Sequence, residues 1–531
     1  MLVAALLFLI GAASAFISQT GLGDLPLRVP SLWVAMFVAA QTFAAALILW
    51  LATRARPAAP GIRTVVAIAL VASIAIAFGV AAFWPNSADE YGYVYLARTL
   101  LAGRTYVPAP PGGDLFVFYW SAVGEGKMAS QYAPGWSVLL APFLAAGLQA
   151  LANPLLLAGL AACLYACLTL LACAAPVASA LTAIIVLSPF ALFNAGSLFN
   201  HLLATLALVG VCWCTLRDER SSATGNKLAI GVLFSIILST RIEVFVILAP
   251  LFGIDQLLRR RALSLLVPAA IGFLPITILF LWYTASITGS PFVSVQAWAH
   301  PEELAIASGS LRALAEKQVW FVVALIGFTG IVPAALYVVC VFRRLREGSI
   351  RFFDLLPFAA IAFFIAYPAT GGHQYGPRYW FFAWPAIAMT IGAQLKGMPT
   401  LPLLRRQIHL PSLAALNLPL FAGFTLCFAV YLRLYIDARH ARIEVAVPAQ
   451  PAIVLLEPSR ISISRYQTQP ATVGTRDLLR NDIFLHDPVL FAVGESFAHQ
   501  IAACTLGRHV YQQTPEGSVA EIDCEALARS P

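Results

Sequence analysis

Two adjacent carboxylates, Asp89 and Glu90, stand just beyond an apolar run that ends at Trp84. A charge at the edge of a bilayer is costly unless it caps a helix, finds a partner or serves chemistry. A carboxylate there suits a general base, since it can take the proton of a nearby hydroxyl. The plain structural alternative is Ser87 followed three residues later by Glu90, a capping box, with Gly103 as a natural helix stop. That alternative accounts for Glu90 and for the helix, and leaves Asp89 over. Tyr91, Tyr95 and Arg98 follow at spacings that share one helical face.

Three other groups carry polar chemistry. Lys127-Met128-Ala129-Ser130-Gln131-Tyr132-Ala133-Pro134-Gly135-Trp136 is an aromatic turn leading into an apolar stretch. On a plain reading Pro134-Gly135 is only a tight turn and Trp136 an interfacial anchor. Asn194, Ser197, Asn200 and His201 gather between two apolar runs, where a lone histidine is also readable as a satisfied polar residue. Arg241, His373, Tyr375, Arg378 and Tyr379 form the last group. Arginines on a concave surface suit a phosphate, because the guanidinium fork pairs with two of its oxygens. Arg378 is equally a helix-start residue snorkelling to headgroups.

The elements that hold these groups are membrane helices. A chain of 531 residues that is 60% hydrophobic and 11% charged is not a soluble globule, in which about a quarter of residues are charged. The net charge of +8 comes mostly from arginine clusters between apolar runs, and such clusters are topology signals first. Cys163, Cys167, Cys173, Cys212, Cys214, Cys340 and Cys427 lie in apolar runs and read as packing residues.

Runs near the ~20 residues that cross a bilayer begin at 1–17, which reads as a first membrane helix or an uncleaved signal anchor, then 32–53 and 64–84. Arg54, Arg56 and Arg63 put the hinge between the last two inside. The loop 85–153 is therefore outside. Spans 155–174, 177–193 and 199–216 lead to Arg217, Arg220 and Lys227, again inside, so the crossing count must be odd. The apolar stretch 132–150 is accordingly expected to lie along the outer surface. The segment 228–258 has basic residues at both ends and reads as a hairpin turning at 239–243, with one long tilted helix as the alternative. Spans 263–287, 318–342, 352–369, 380–395 and 412–435 bring the count to about thirteen, with the amino terminus inside and the carboxyl terminus outside. The fold expected is an all-α polytopic membrane protein: a transmembrane domain over 1–436, with 85–153 as its outer loop, and a small α/β extramembrane domain over 437–531. Cys504 and Cys524 in that last segment could pair in an oxidising compartment.

Asp89-Glu90-Tyr91, followed by Tyr95-Leu96-Ala97-Arg98-Thr99-Leu100-Leu101-Ala102-Gly103, resembles the first-loop signature of the C-type multi-spanning glycosyltransferases. The nearest branch holds the protein O-mannosyltransferases, the lipid A aminoarabinose transferase and the lipopolysaccharide core transferases. Tyr132-Ala133-Pro134-Gly135-Trp136, Ser188-Pro189 and Thr240-Arg241 are similar to that family's tyrosine-proline-glycine, serine-proline and threonine-arginine turns, in the family's order. Two spans precede the usual first helix, and Asn200 and His201 stand where members often have an acidic residue.

The resemblance implies inverting transfer of a sugar from a polyprenyl-phosphate donor to a glycan, lipid or protein acceptor outside the bacterial plasma membrane. Asp89 is the expected base and Glu90 a supporting or orienting acid. Tyr91, Tyr95, Arg98, Tyr132, His201, Arg241, His373, Tyr375 and Arg378 are the expected substrate contacts. No cofactor is expected, zinc-ligand spacing and phosphate loops are not seen in the sequence, and no nucleic-acid module is visible. A transporter or flippase for a lipid-linked solute, with Arg241 and Glu243 as a pathway pair, is the competing reading. A structural assembly subunit is a third.

Overall fold

The computed structural model describes residues 2–22, 31–54, 60–82, 84–299, 325–366, 375–395, 397–403, 406–457, 459–461, 471–473, 476, 478–494, 496–514 and 518–529. His373 lies outside the described residues. The chain forms two units, one of Met1–Ala82, Ala150–Phe280 and Ile306–Val430, the other of Phe83–Gln149, Leu281–Ala305 and Tyr431–Pro531.

Helices dominate the first unit because its runs are apolar for whole turns at a time. In chain order the helices used below are α1 (Leu2–Leu22), α2 (Ser31–Ala52), α3 (Ile62–Gly79), α4 (Ala88–Leu101), α5 (Gly135–Ala145), α6 (Gln149–Leu170), α7 (Ala175–Val186), α8 (Pro189–Ala195), α9 (His201–Ser221), α10 (Thr224–Thr240), α11 (Ile242–Leu258) and α12 (Ala262–Thr288). They continue with α13 (Val295–Ala299), α14 (Ile331–Arg346), α15 (Phe352–Ala366), α16 (Trp384–Leu395), α17 (Leu410–His440) and α18 (Phe497–Cys504). Among the described residues α3, α6, α9, α12 and α17 are long and apolar enough to cross a membrane, and α7 with α8 makes a sixth span bent by 61°. The bend is written in Ser188-Pro189. The Ser188 hydroxyl accepts from the Ala191 N–H at 3.2 Å, and Pro189 takes the first helical position, where its missing N–H costs nothing.

At 239–243 the chain does turn back. Arg241 is extended (φ −148°, ψ 96°), its N–H closing α10 on the Ile237 carbonyl at 2.7 Å and its carbonyl opening α11 with the Phe245 N–H at 3.3 Å. The Phe234 ring lies 6.0 Å from Phe245 and 5.1 Å from Phe252. One straight helix would set Phe234 and Phe252 about 27 Å apart, at 1.5 Å per residue. The hairpin therefore holds and the single tilted helix does not. Each arm has 17 residues, or about 25 Å, short of the ~30 Å hydrocarbon core.

The basic clusters expected on one side meet at one end of this unit. Arg261 pairs with Asp218, and Arg351 grips Glu219 through two bonds of 2.8 Å. Arg259 donates to the Ile350 carbonyl at 3.0 Å, and Arg344 pairs with Asp354 at 2.9 Å. His201, Thr240, Arg241 and Ile242 begin or end the same helices at the opposite end. Two helix crossings bring backbones into contact. A Cβ on Gly231 of α10 would sit 1.9 Å from the Ala269 carbonyl oxygen of α12, and one on Gly272 would sit 2.1 Å from that of Leu228. Gly11 of α1 and Gly423 of α17 repeat this reciprocal geometry, meeting Leu420 and Phe8. Small residues permit such approach where lipid offers no hydrophobic drive.

The second unit is built on α4. Ser87 caps it by accepting from the Glu90 N–H at 3.2 Å, and Gly103 (φ +71°) follows its last turn. Strands β1 (Val107–Pro108), β2 (Ser121–Gly124) and β3 (Lys127–Ser130) form an antiparallel sheet in the order β1-β3-β2. The expected surface stretch 132–150 holds α5, at 11 residues about 16 Å long and too short to span. Trp136 of α5 is fully buried, so it is no interfacial anchor.

Just before α17, β4 (Thr400–Leu403) and β5 (Arg406–His409) form a hairpin in the first unit, and beyond α17 the chain builds a further sheet. Here β6 (Ala452–Leu456), buried throughout, pairs in parallel with β9 (Val489–Val493) and β10 (His509–Gln513), and β11 (Val519–Glu521) pairs antiparallel to β10. A short ribbon of β7 (Ser459–Ile461) and β8 (Ala471–Val473) lies between β6 and β9 in sequence. Cys504 and Cys524 form a disulfide. The C-terminal stretch shares its core with the first loop. Tyr91, Tyr95, Phe118 and Met128 cluster with Val454, Leu456, Leu478 and Tyr511.

Candidate active site

The acidic site lies in the second unit, on the first turns of α4. Glu90 is wholly buried and works on the cap: its Oε2 accepts from the Asn86 N–H at 3.0 Å and the Ser87 hydroxyl at 3.2 Å. It therefore fixes the turn on which Asp89 stands. Asp89 is half-buried, and its Oδ1 accepts from the Tyr132 hydroxyl at 2.5 Å. Tyr132 also packs against Tyr93, the two rings tilted by 42° with centroids 4.5 Å apart.

Asp89, Gly92 and Tyr93 share a face of α4, whereas Tyr91 points about 200° away from Asp89 at 100° per residue. The face carrying Tyr91 and Tyr95 turns into the core described above. The Tyr91 hydroxyl donates to the Asn481 carbonyl at 2.6 Å. Both residues also line a cavity of about 160 Å³ with Pro110, Phe116, Asp482 and Phe484. Burial pushes the Tyr91 phenol up to about 12 against the smaller opposing pull of Arg480 and Arg98, and raises Tyr95 also. Both tyrosines, expected as substrate contacts, thus sit away from the Asp89 carboxylate. Arg98 is half-buried on the last turn of α4. Tyr93, which the sequence reading missed, was signalled by its spacing of four from Asp89.

The basic site lies in the first unit at the break between α10 and α11. Arg241 is buried there and pairs with Glu243. Its Nη1 donates to Asn200 Oδ1 at 3.3 Å and lies 3.1 Å from His201 Nε2. Asn200 in turn donates to the Thr240 carbonyl at 3.0 Å, tying the start of α9 to the break. Among the described residues Arg241 Nε has no hydrogen-bond partner. Arg378, also buried, rests its guanidinium 4.0 Å above the Phe199 ring. Tyr375 is buried, its carbonyl accepts from Asn194 at 3.2 Å, and its ring lies 5.4 Å from Phe199. The structure thus gathers His201, Arg241, Tyr375 and Arg378 around Phe199 and Tyr379. Phe199 was missed as a guanidinium platform; an aromatic side chain just before Asn200-His201 was its signal. A buried cationic cradle of this kind can hold an anion, and a carboxylate clamped by a phenol can accept a proton. Among the described residues no group of three His, Cys, Asp or Glu could hold a metal ion.

The fold is that of the multi-spanning C-type glycosyltransferases, as the sequence resemblance implied. The chain matches ArnT from Cupriavidus metallidurans in the apo state, with 13% identity over 90% of this chain and 92% of that one at a TM-score of 0.50. It is also similar to the same protein bound to undecaprenyl phosphate, at 15% identity, 90% and 88% coverage and a TM-score of 0.49. A further similar structure is the oligosaccharyltransferase AglB from Archaeoglobus fulgidus in complex with an inhibitory peptide and a dolichol-phosphate, at 12% identity, 85% and 69% coverage and a TM-score of 0.46. No family model and no curated protein matches the sequence.

Proposed function

We propose that this protein is a membrane glycosyltransferase that moves a sugar, with inversion, from a polyprenyl-phosphate donor to a glycan, lipid or protein acceptor on the outer side of the plasma membrane. Asp89 takes the proton of the acceptor hydroxyl as its oxygen bonds to the anomeric carbon. The bond from that carbon to the donor phosphate breaks, and its electron pair leaves on the phosphate. Arg241 and Arg378 bind that phosphate, with His201 and Tyr375 beside it, and stabilise the charge as it grows; His373 stays a substrate contact of this reading on sequence grounds. Glu90 orients the base through the helix cap. This reading includes about thirteen crossings and a carboxyl-terminal stretch outside, where a Cys504–Cys524 disulfide is stable.

The observation that carries this reading is Arg241: a guanidinium buried at a helix break in a membrane bundle, with a donor nitrogen that has no partner among the described residues. Buried donors are satisfied in native structures, and a lipid phosphate supplies the acceptor. The test compares the glycolipids of cells with and without this chain by mass spectrometry, and then with Asp89→Asn. A modified species that vanishes in both deletion and Asp89→Asn supports the enzyme. Normal modification by Asp89→Asn removes the base, and a species that changes side without changing mass favours a flippase.

A further inference from the structure

We propose that Tyr132 is a positioning residue for Asp89 and that Gly92 exists to let it reach the carboxylate; this rests on the reading of Asp89 as the base. Tyr132 comes from the turn after β3, 43 residues along the chain from Asp89, yet its hydroxyl donates to Asp89 Oδ1 at 2.5 Å. Fixing one oxygen sets the plane of the carboxylate and hence the direction in which its second oxygen points.

The contact is built on several sides. The Tyr132 ring lies against α4 at Gly92, where a Cβ would sit 2.7 Å from Cε2 and 2.9 Å from Cδ2. Real Cβ atoms do not approach a ring so closely, so any other residue at 92 pushes the ring off its place. Tyr93 packs against the same ring at 4.5 Å, and its own carbonyl accepts from the Ser137 hydroxyl at 3.0 Å. The backbone of Tyr132 is fixed as well, its N–H donating to Ser130 Oγ at 3.4 Å and its carbonyl accepting from the Tyr283 hydroxyl at 3.4 Å. Asp89, Gly92 and Tyr93 are thus one surface, at spacings of three and four on a single helix face, shaped to receive one phenol. A base held in this way meets its substrate without reorganising, and a small misplacement of such a group costs on the order of 10²-fold in rate.

Two readouts test this on the full-length protein: the rate at which induced cells accumulate the modified glycolipid, and the carboxylate infrared band that Asp89→Asn removes from the purified protein. Tyr132→Phe deletes one oxygen and keeps the ring; it is expected to slow modification by about 10–100-fold and to move the Asp89 band. Gly92→Ala retains both functional groups and is expected to do the same. A normal rate and an unmoved band in Tyr132→Phe overturn the proposal. A slowed rate with an unmoved band also overturns it, since the phenol then acts elsewhere. If Asp89→Asn modifies normally while Tyr132→Phe still moves the band, the contact stands and the assignment of the base is what fails.

Discussion

The Tyr91 phenol donates a 2.6 Å hydrogen bond to the carbonyl of Asn481, joining the first-loop helix to a stretch 390 residues further along the chain. The C-terminal residues thereby form one wall of the core on which the Asp89 helix rests. Losing the phenol oxygen leaves a buried carbonyl without this donor, so Tyr91→Phe is expected to cost roughly 1–2 kcal/mol in thermal or denaturant unfolding of the purified protein.

The same phenol predicts an alkaline limb. The fold holds Tyr91 neutral, up to about 12 against its ordinary value near 10, because burial disfavours the anion. Its contribution is complete below about pH 10 and is lost as pH rises from there through 12. Thermal unfolding measured between pH 8 and pH 12 should show that fall, and Tyr91→Phe should make it shallower. An unchanged slope would show that Tyr91 does not report on the transition.

Asp114 predicts an acid limb. Burial pushes its carboxyl up, but the hydrogen bond and charge of Arg476 and the neighbouring His499 outweigh this, so it sits below the usual carboxylate range. The ionised form is therefore favoured by folding, fully above about pH 4 and progressively less as pH falls below it. Asp114→Asn should flatten the loss of stability below pH 4, and high salt should shrink the difference, because the carboxylate is half-exposed.

Arg351 and Glu219 share two parallel bonds of 2.8 Å, and Arg261 reaches the same carboxylate at 3.6 Å. Removing the carboxylate with Glu219→Ala leaves two partly buried arginines facing one another. A loss of about 1–3 kcal/mol is expected, with Glu219→Gln in between, read as the unfolding midpoint in detergent.

For the donor phosphate, Arg241→Lys keeps the charge and loses the fork. Modification of the glycolipid is expected to slow by about tenfold or more, while Arg343→Lys, at the other end of the bundle, should leave it unchanged. Equal rates for both variants would remove Arg241 from phosphate recognition.

Much of this was legible in residue order because it depends on local chemistry. Ser87, Glu90 and Gly103 fix a helix by caps alone, Ser188-Pro189 fixes a bend, and basic residues at both ends of 228–258 point to a return, with one tilted helix as the alternative. Side-chain surroundings were less accessible. A helical wheel shows that Tyr91 and Tyr95 share a face and that Asp89 lies on another, but not which face meets the C-terminal sheet. That depends on strands such as β6, some 360 residues away, whose continuous apolar run carries no address. Tyr93 and Phe199 were missed for a related reason: an aromatic ring reads as packing until the charged group beside it has been placed.

The glycine crossings give the amino-terminal helices a meaning beyond length. With Gly11 set against the Leu420 carbonyl and Gly423 against that of Phe8, α1 is wedged main chain to main chain against α17 rather than resting on it through yielding side chains. A helix seated so closely cannot be exchanged for a generic one of equal hydropathy, so α1 is part of the packed frame of the first unit.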